Sequence, residues 1–341
     1  MKKLARSTFK KKITNEESLE NINPKNKKLM ELFIKDKDRK CSDATIKGYT
    51  SDLNIFFCWI EQNCDNKYYP EMKKYEISDF FSYCVNDLQW NGKRFARMRS
   101  VLSGLSDLVI KYYDEEYPTF RNIINSVIES IPKEPVRKKT IVSEEELQDL
   151  LEHLFKTGQY TDACLLALAV YSGARITELT LFKTEDINVD NTAFGGLFLE
   201  TTNEIRTKGF GKRGKMIHKF ILKEPFLPYY YKYMEVRREI VERTGTESEA
   251  LFLQKTGKPA KVSTFNCWIE KWSKYLGKDL YFHAWRHMFV TTLVKQGVSK
   301  DIIMAIVGWS SDMVEVYTDI EAKDRNWDKD IEKIKGMLED N

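Results

Sequence analysis

The chain has 341 residues, 42% of them hydrophobic and 31% charged, with 55 Lys/Arg against 51 Asp/Glu and a formal net charge of +4. That length exceeds one ordinary core and suits two domains of roughly 100–200 residues each. No apolar run approaches the ~18 residues of a membrane span, MKKLARSTFKKK lacks the apolar stretch of a secretory signal, and Cys41, Cys58, Cys64, Cys84, Cys164 and Cys267 show no C-x-x-C or metal-ligand spacing, so a soluble cytoplasmic protein with free thiols is expected.

Charge is unevenly spread. Residues 1–40 hold thirteen Lys/Arg against six Asp/Glu, a local excess that points to a polyanionic partner. Residues 1–25 read as a basic flexible N-terminus. An amphipathic segment follows at Asn26–Lys35, and Ser42 can cap a helix reaching about Gln62, with Ile46, Tyr49, Leu53, Phe56, Phe57 and Ile60 on one face. Further helices are expected at Ile77–Leu88, Lys93 to about Tyr112 and, more weakly, Tyr117–Ile131. The first domain, 26–131, is thus all-helical. Pro132, Pro135 and the basic cluster Arg137, Lys138 and Lys139 then mark an extended linker over 132–142.

Ser143-Glu-Glu-Glu146 is a capping box that opens the second domain, 143–341. Helices are expected at 144–156 and 160–171, with another starting near Ala174. Ala193–Glu200, Glu204–Thr207 and Met216–Leu222 read as three short strands of a small antiparallel sheet. Helical periodicity resumes at Pro228 and runs to the end with interruptions. Between the last two strands, TKGFGKRGKMIHKF contains Gly209, Gly211 and Gly214 in G-x-G-x-x-G spacing, together with Lys208, Lys212, Arg213, Lys215 and Lys219. A dinucleotide fingerprint must open a helix, yet strand-like residues follow Gly214. The stretch is therefore expected as a basic hairpin tip.

Three patches set polar residues among apolar ones: LAVYSGARITELTLF, YFHAWRHMFVTTLV and IIMAIVGWSSDMVEVYTDI. His283 and His287 stand at i, i+4, but a zincin needs Glu after the first His and Ala284 stands there. No metal site and no cofactor are expected. Two arginines, a lysine, a histidine, an indole and a phenol are instead suited to the oxygens of a phosphate. Transfer of a phosphodiester at constant bond energy needs a nucleophile, an acid for the leaving oxygen and charge stabilisation, which Tyr317, Lys208 and the arginines with Trp309 can supply.

SGARITEL resembles the first arginine box of the tyrosine site-specific recombinases, the phage-integrase family with its Cre- and Xer-type enzymes. HAWRHMFVTTL resembles the family's H-x-L-R-H-T-F-A-T box, and VGWSSDMVEVYTDI its L-G-H-S-S-x-x-T-x-x-Y-x-H segment. The resemblance implies a mainly α fold: an N-terminal helical-bundle core-binding (SAM-like) domain and a C-terminal α+β catalytic domain with a tail from about 322. It further implies that Tyr317 forms a 3′-phosphotyrosyl link, that Arg175 and Arg286 hold the scissile phosphate, that His283 assists proton transfer and that Glu178 braces the site. Trp309 replaces the commoner histidine as a hydrogen-bond donor. The family's hairpin lysine, general acid toward the 5′-oxygen, falls on Lys208, with Lys212 as the alternative.

The partner so implied is duplex DNA carrying paired inverted-repeat core sites, bound by a chain that is monomeric when free and tetrameric on DNA. Accessory DNA-bending or directionality proteins and a nucleoid location belong to the same expectation. DNA contacts are expected from Lys93, Arg94, Arg97 and Arg99 in the first domain, Arg137, Lys138 and Lys139 in the linker, and Lys212 and Arg213 in the hairpin. Two other readings share this chemistry or fold: a type IB topoisomerase or telomere resolvase, and a non-catalytic DNA-binding protein.

Overall fold

A computed structural model describes residues 13–131, 140–209 and 214–309, together with Glu332, Ile334 and Lys335. The chain divides into two compact units, one reaching residue 138 and one beginning at residue 139, with the loop 209–214 left out of the second.

The described part of the first unit is built from helices alone: α1 (Glu16–Asn21), α2 (Pro24–Asp38), α3 (Asp43–Asn63), α4 (Lys74–Asn86), α5 (Gly92–Tyr112) and the single turn α6 (Ile124–Val127). Ser42 caps α3 as its position implied, accepting from the Thr45 amide. Phe56, Phe57, Phe80, Met98, Leu102 and Leu105 form the core between α3, α4 and α5. Two expectations need correction. The segment read as a flexible N-terminus contains α1, capped by Asn15, and buries Ile13 and Ile22 in this core. The helix expected over Tyr117–Ile131 shrinks to α6. There the Asn122 amide donates to the Ser103 carbonyl and hydroxyl while its own oxygen accepts from the Ile124 amide, a local competitor of helical hydrogen bonding.

The second unit is arranged around α8 (Tyr160–Ser172), which is buried along its length from Asp162 onward. Such an all-round apolar helix demands cover on every side. It receives it from α7 (Glu144–Lys156), α10 (Lys223–Thr244), α12 (Phe282–Lys295) and strand β5 (Phe220–Leu222). The four-residue α9 (Ile176–Leu179), α11 (Val262–Leu276) and α13 (Lys300–Val307) also belong to this unit. Ser143 and Glu146 form the expected capping box on α7. Residues 140–142, read as part of the linker, belong to this unit: Val142 is in its core, the Thr140 hydroxyl donates to the Asp279 carbonyl, and Lys278 donates to that of Ile141. Ile334 is also fully buried in this core.

The strands depart from expectation in an informative way. The first expected strand is a tight hairpin, β1 (Thr192–Ala193) and β2 (Phe198–Glu200), turned where Phe194, Gly195 and Gly196 all have positive φ. β3 (Ile205–Thr207) and β4 (Lys215–Ile217) pair antiparallel, so the basic stretch does join the two arms of a hairpin. The expected strand Met216–Leu222 breaks at His218–Lys219: β4 stays with β3, whereas β5 crosses to pair with β2 in the order β1-β2-β5. Thr201 holds that crossover. Its hydroxyl accepts from the Lys219 amide at 2.9 Å, its amide donates to the Lys219 carbonyl at 2.9 Å, and its carbonyl lies 2.7 Å from His218 Nδ1.

Candidate active site

The SGAR turn is where α8 ends. Gly173 adopts the left-handed conformation, φ +57°, and a Cβ there would lie 2.6 Å from Phe289 Cδ1, so only glycine closes this turn beside α12. The chain then restarts at once as α9, with Arg175 at the N-cap and Glu178 as the third helical residue. Glu178 Oε2 accepts from the Arg175 amide at 2.9 Å, which is the back-reaching half of a capping box. Local geometry thereby turns this carboxylate inward.

Glu178 is the centre of the site. It is 1% exposed, and both oxygens are fully engaged. Oε1 accepts from Arg175 Nη1 at 2.8 Å and from the Thr207 hydroxyl; Oε2 accepts in addition from Lys219 Nζ at 2.7 Å. Arg286 Nη1 stands 4.0 Å from the same Oε2. Burial opposes ionisation of this carboxyl, but the charge and hydrogen bond of Lys219, the Thr207 hydroxyl and the Arg175 amide hold its pKa at about 2. Three cations around one carboxylate leave a surplus of positive charge in a largely dry site. Such a site suits an anion.

Arg286 comes from α12, the helix of the second box, and is 2% exposed. Its guanidinium is clamped: Nη1 donates to the Gly173 carbonyl at 2.6 Å and Nη2 to that of Val307 at 3.1 Å. One arginine therefore ties the end of α8 to the end of α13. It also lies 5.1 Å from the ring centre of the buried Trp309, just past the Gly308 cap of α13. His283 lies one turn earlier on α12 and remains exposed. Partial burial, then the charges of Arg286 and Arg175, lower its imidazole pKa, which favours the neutral ring that can accept a proton. His287 meets His283 edge-on at 4.5 Å, and the described residues contain no group of three His, Cys, Asp or Glu able to hold a metal ion.

The structure thus brings together Arg175, Glu178, Arg286 and Trp309, with His283 at the rim. Lys208 directly follows Thr207, the β3 residue bonded to Glu178 and Arg175, and is itself exposed. Tyr317, Lys212, Arg213, Arg137, Lys138 and Lys139 lie outside the described residues. In the first unit, Lys93 is exposed at the start of α5. Arg94 and Arg97 both form ion pairs with the buried Asp52 of α3, at 2.5 and 2.8 Å. Arg94 also lies 4.3 Å from the Trp90 ring centre, and Arg99 lines a groove with Phe33, Lys37 and Tyr49.

Sequence reading missed two members of the site, Thr207 and Lys219. A signal existed for the second. Read as one strand, IHKFI alternates and puts Lys219 on the same side as Ile217 and Ile221; the chain instead leaves β4 at Ile217 and enters β5 at Phe220, with Lys219 buried at the crossover. Its membership of a lysine-rich stretch concealed that register.

Residues 140–324 match the sequence model of the phage integrase family. A recombinase-like protein YomM of a Bacillus subtilis prophage is 27% identical over 87% of this chain and 86% of its own length. The tyrosine recombinase XerD of Staphylococcus epidermidis is 24% identical over 83% and 90%. Among solved structures, the XerH recombinase bound to palindromic difH in a post-cleavage complex aligns with a TM-score of 0.63 at 16% identity, covering 92% of this chain and 83% of that one. A lambda integrase (75–356) dimer bound to a core site aligns at 0.58 and 17%, covering 87% and 99%. No helix among the described residues is long and apolar enough to cross a membrane. A family match over more than half of the chain, with two of the three boxes meeting around one buried carboxylate, settles its class: this chain belongs to the phage integrase family and is a tyrosine recombinase.

Proposed function

We propose that this enzyme recombines DNA at specific sites without metal or ATP, through a covalent bond between Tyr317 and the 3′-phosphate of the cut strand. The Tyr317 oxygen attacks the scissile phosphorus and the bond to the 5′-oxygen breaks. Neutral His283 takes the phenolic proton and Lys208 delivers one to the departing 5′-oxygen, leaving a free 5′-hydroxyl. The second strand's 5′-hydroxyl then reverses the step, and two exchanges pass through a Holliday junction. Arg175 and Arg286 bind the non-bridging oxygens, where negative charge accumulates in the transition state. Trp309 donates from the third box.

The observation that carries the reading is the cluster of Arg175, Lys219 and Arg286 around the buried Glu178. Two arginines from separate boxes are fixed before substrate arrives, so no reorganisation is needed when charge develops. Lys208, next to Thr207 on the hairpin strand, is the general acid in this account, with Lys212 the alternative. Relatives whose structures hold a core site or difH support duplex DNA as the partner. We place the 26–131 helical region and the basic segment ahead of residue 140 across the duplex. The acting form is a tetramer on paired inverted repeats, assembled from monomers in the cytoplasm at the nucleoid, with accessory DNA-bending proteins where the site requires them. A duplex with a nick near the cognate site tests the chemistry: the adduct forms in the presence of chelator and is lost in Tyr317→Phe. Strand exchange between two duplexes, as opposed to relaxation of one, separates the recombinase from a topoisomerase.

A further inference from the structure

Lys219 has no assigned part in the reaction, yet its ammonium is among the most deeply buried in the described structure. It is 1% exposed, and it faces Glu178 Oε2 at 2.7 Å, itself 1% exposed. Removing a lysine ammonium from water costs several kcal/mol and is offset only by close pairing and hydrogen bonds. An apolar residue could fill this buried position between β4 and β5 at no such cost. The position of the charge indicates what it is for.

Arg175, Thr207 and Arg286 all meet at the carboxylate that Lys219 holds. Its backbone is fixed from both sides by Thr201 at the crossover between the two sheets. Its ammonium holds the oxygen that also accepts the Arg175 amide and faces Arg286 at 4.0 Å. The other oxygen of the same carboxylate holds the Arg175 guanidinium and Thr207, the residue before Lys208. At the third box, the nitrogen lies 3.8 Å from where a Cβ on Gly308 would stand, one residue before Trp309. We propose that Lys219 is a positioning residue for strand cleavage: by locking Glu178 it sets the registry of Arg175 and Arg286 and of the strand that carries Lys208. Lys219 acts through Glu178 and does not itself touch the phosphate. The inference rests on the reading of this site as the cleavage centre.

The charged and titratable groups facing Glu178 are Arg175 from its own helix, Lys219 from the strand crossover and Arg286 from α12. Losing Lys219 removes the strongest counterweight to burial of the carboxyl, so Glu178 should take up a proton at higher pH.

The test uses single-turnover cleavage of the nicked duplex across pH by the full chain, with DNA affinity measured separately. Lys219→Met is expected to bind DNA within ~3-fold of wild type but to cleave ~100-fold more slowly, the usual consequence of misplacing reacting groups by about an ångström. Its acid limb should move toward neutral pH. Lys219→Arg, which can still pair with Glu178, should recover both rate and profile. If Lys219→Met does not fold, Lys219→Gln decides: the amide keeps a donor without the charge, so a shifted acid limb is still expected. A folded Met or Gln variant with wild-type rate and profile overturns the proposal. A wild-type chain that forms no adduct overturns the reading of the site, and the proposal with it.

Discussion

Asp52 in the first unit and Glu178 in the second are each a buried carboxylate paired with more than one cation, and the two arrangements differ in how far the cations are sealed. Asp52 of the first unit, 2% exposed, pairs with Arg94 and Arg97, whose side chains keep 26% and 47% of their surface. Glu178 of the second pairs with Arg175 at 22% but also with Lys219 at 1% and stands beside Arg286 at 2%. Arginines that keep a quarter to half of their surface and are anchored at one end can still offer N–H groups to a phosphate and adapt to it. Fully enclosed ones cannot adapt. Cleavage requires fixed donors, since misplacement of a charge in the transition state is costly, whereas gripping a backbone tolerates movement.

This contrast can be broken most severely at Arg286. Its guanidinium spans the carbonyls of Gly173 and Val307 with a planar fork that an ammonium cannot reproduce. Arg286→Lys is expected to lower single-turnover cleavage by ~10³-fold, in the range for removal of a transition-state donor, while DNA binding falls far less. Equal losses in both would place Arg286 in the binding surface instead.

Stability against acid sharpens the same contrast. The Glu178 carboxyl titrates at about 2 in the folded chain and near 4.3 unfolded, so its ionised form contributes ~3 kcal/mol above the unfolded value. That contribution is lost as pH falls from about 4.5 toward 2. Denaturant unfolding of wild type and Glu178→Gln should therefore show a gap that narrows over this window. A gap independent of pH would mean that Glu178 is not held as an ion.

The smallest expected effect lies in the first unit. Gly48 of α3 leaves room for Arg97; a Cβ there would stand 2.0 Å from its Nη2. If Arg97 also reaches a phosphate, Arg97→Ala should weaken all DNA sequences alike and reduce the slope of log affinity against log salt by ~1. An unchanged slope would leave Arg97 as a partner of Asp52 alone.

Much of this was legible in the sequence because the informative signals are local. A cap at Ser42, a box at Ser143 and the i, i+3 spacing of His283 and Arg286 all depend on neighbours in the chain. The three boxes carried the class. What stayed hidden depends on distant residues. Nothing near Lys219 shows that Glu178 awaits it, nor does α5 reveal that Asp52 of α3 engages Arg94 and Arg97. Strand Met216–Leu222 breaks because Thr201, just past the end of β2, holds its backbone. Asn122 reaches back to Ser103 and stops a helix that local propensity allowed. Tertiary partners overrode pattern in each case.

The central claim is that this site cuts DNA through Tyr317 without metal. The most direct measurement incubates the full chain, in chelator, with a nicked duplex bearing its cognate site and resolves protein-linked DNA on a denaturing gel. A 3′-linked adduct with a free 5′-hydroxyl, abolished in Tyr317→Phe, is the expected result. Cleavage that survives Tyr317→Phe, or that appears only with magnesium, would contradict it.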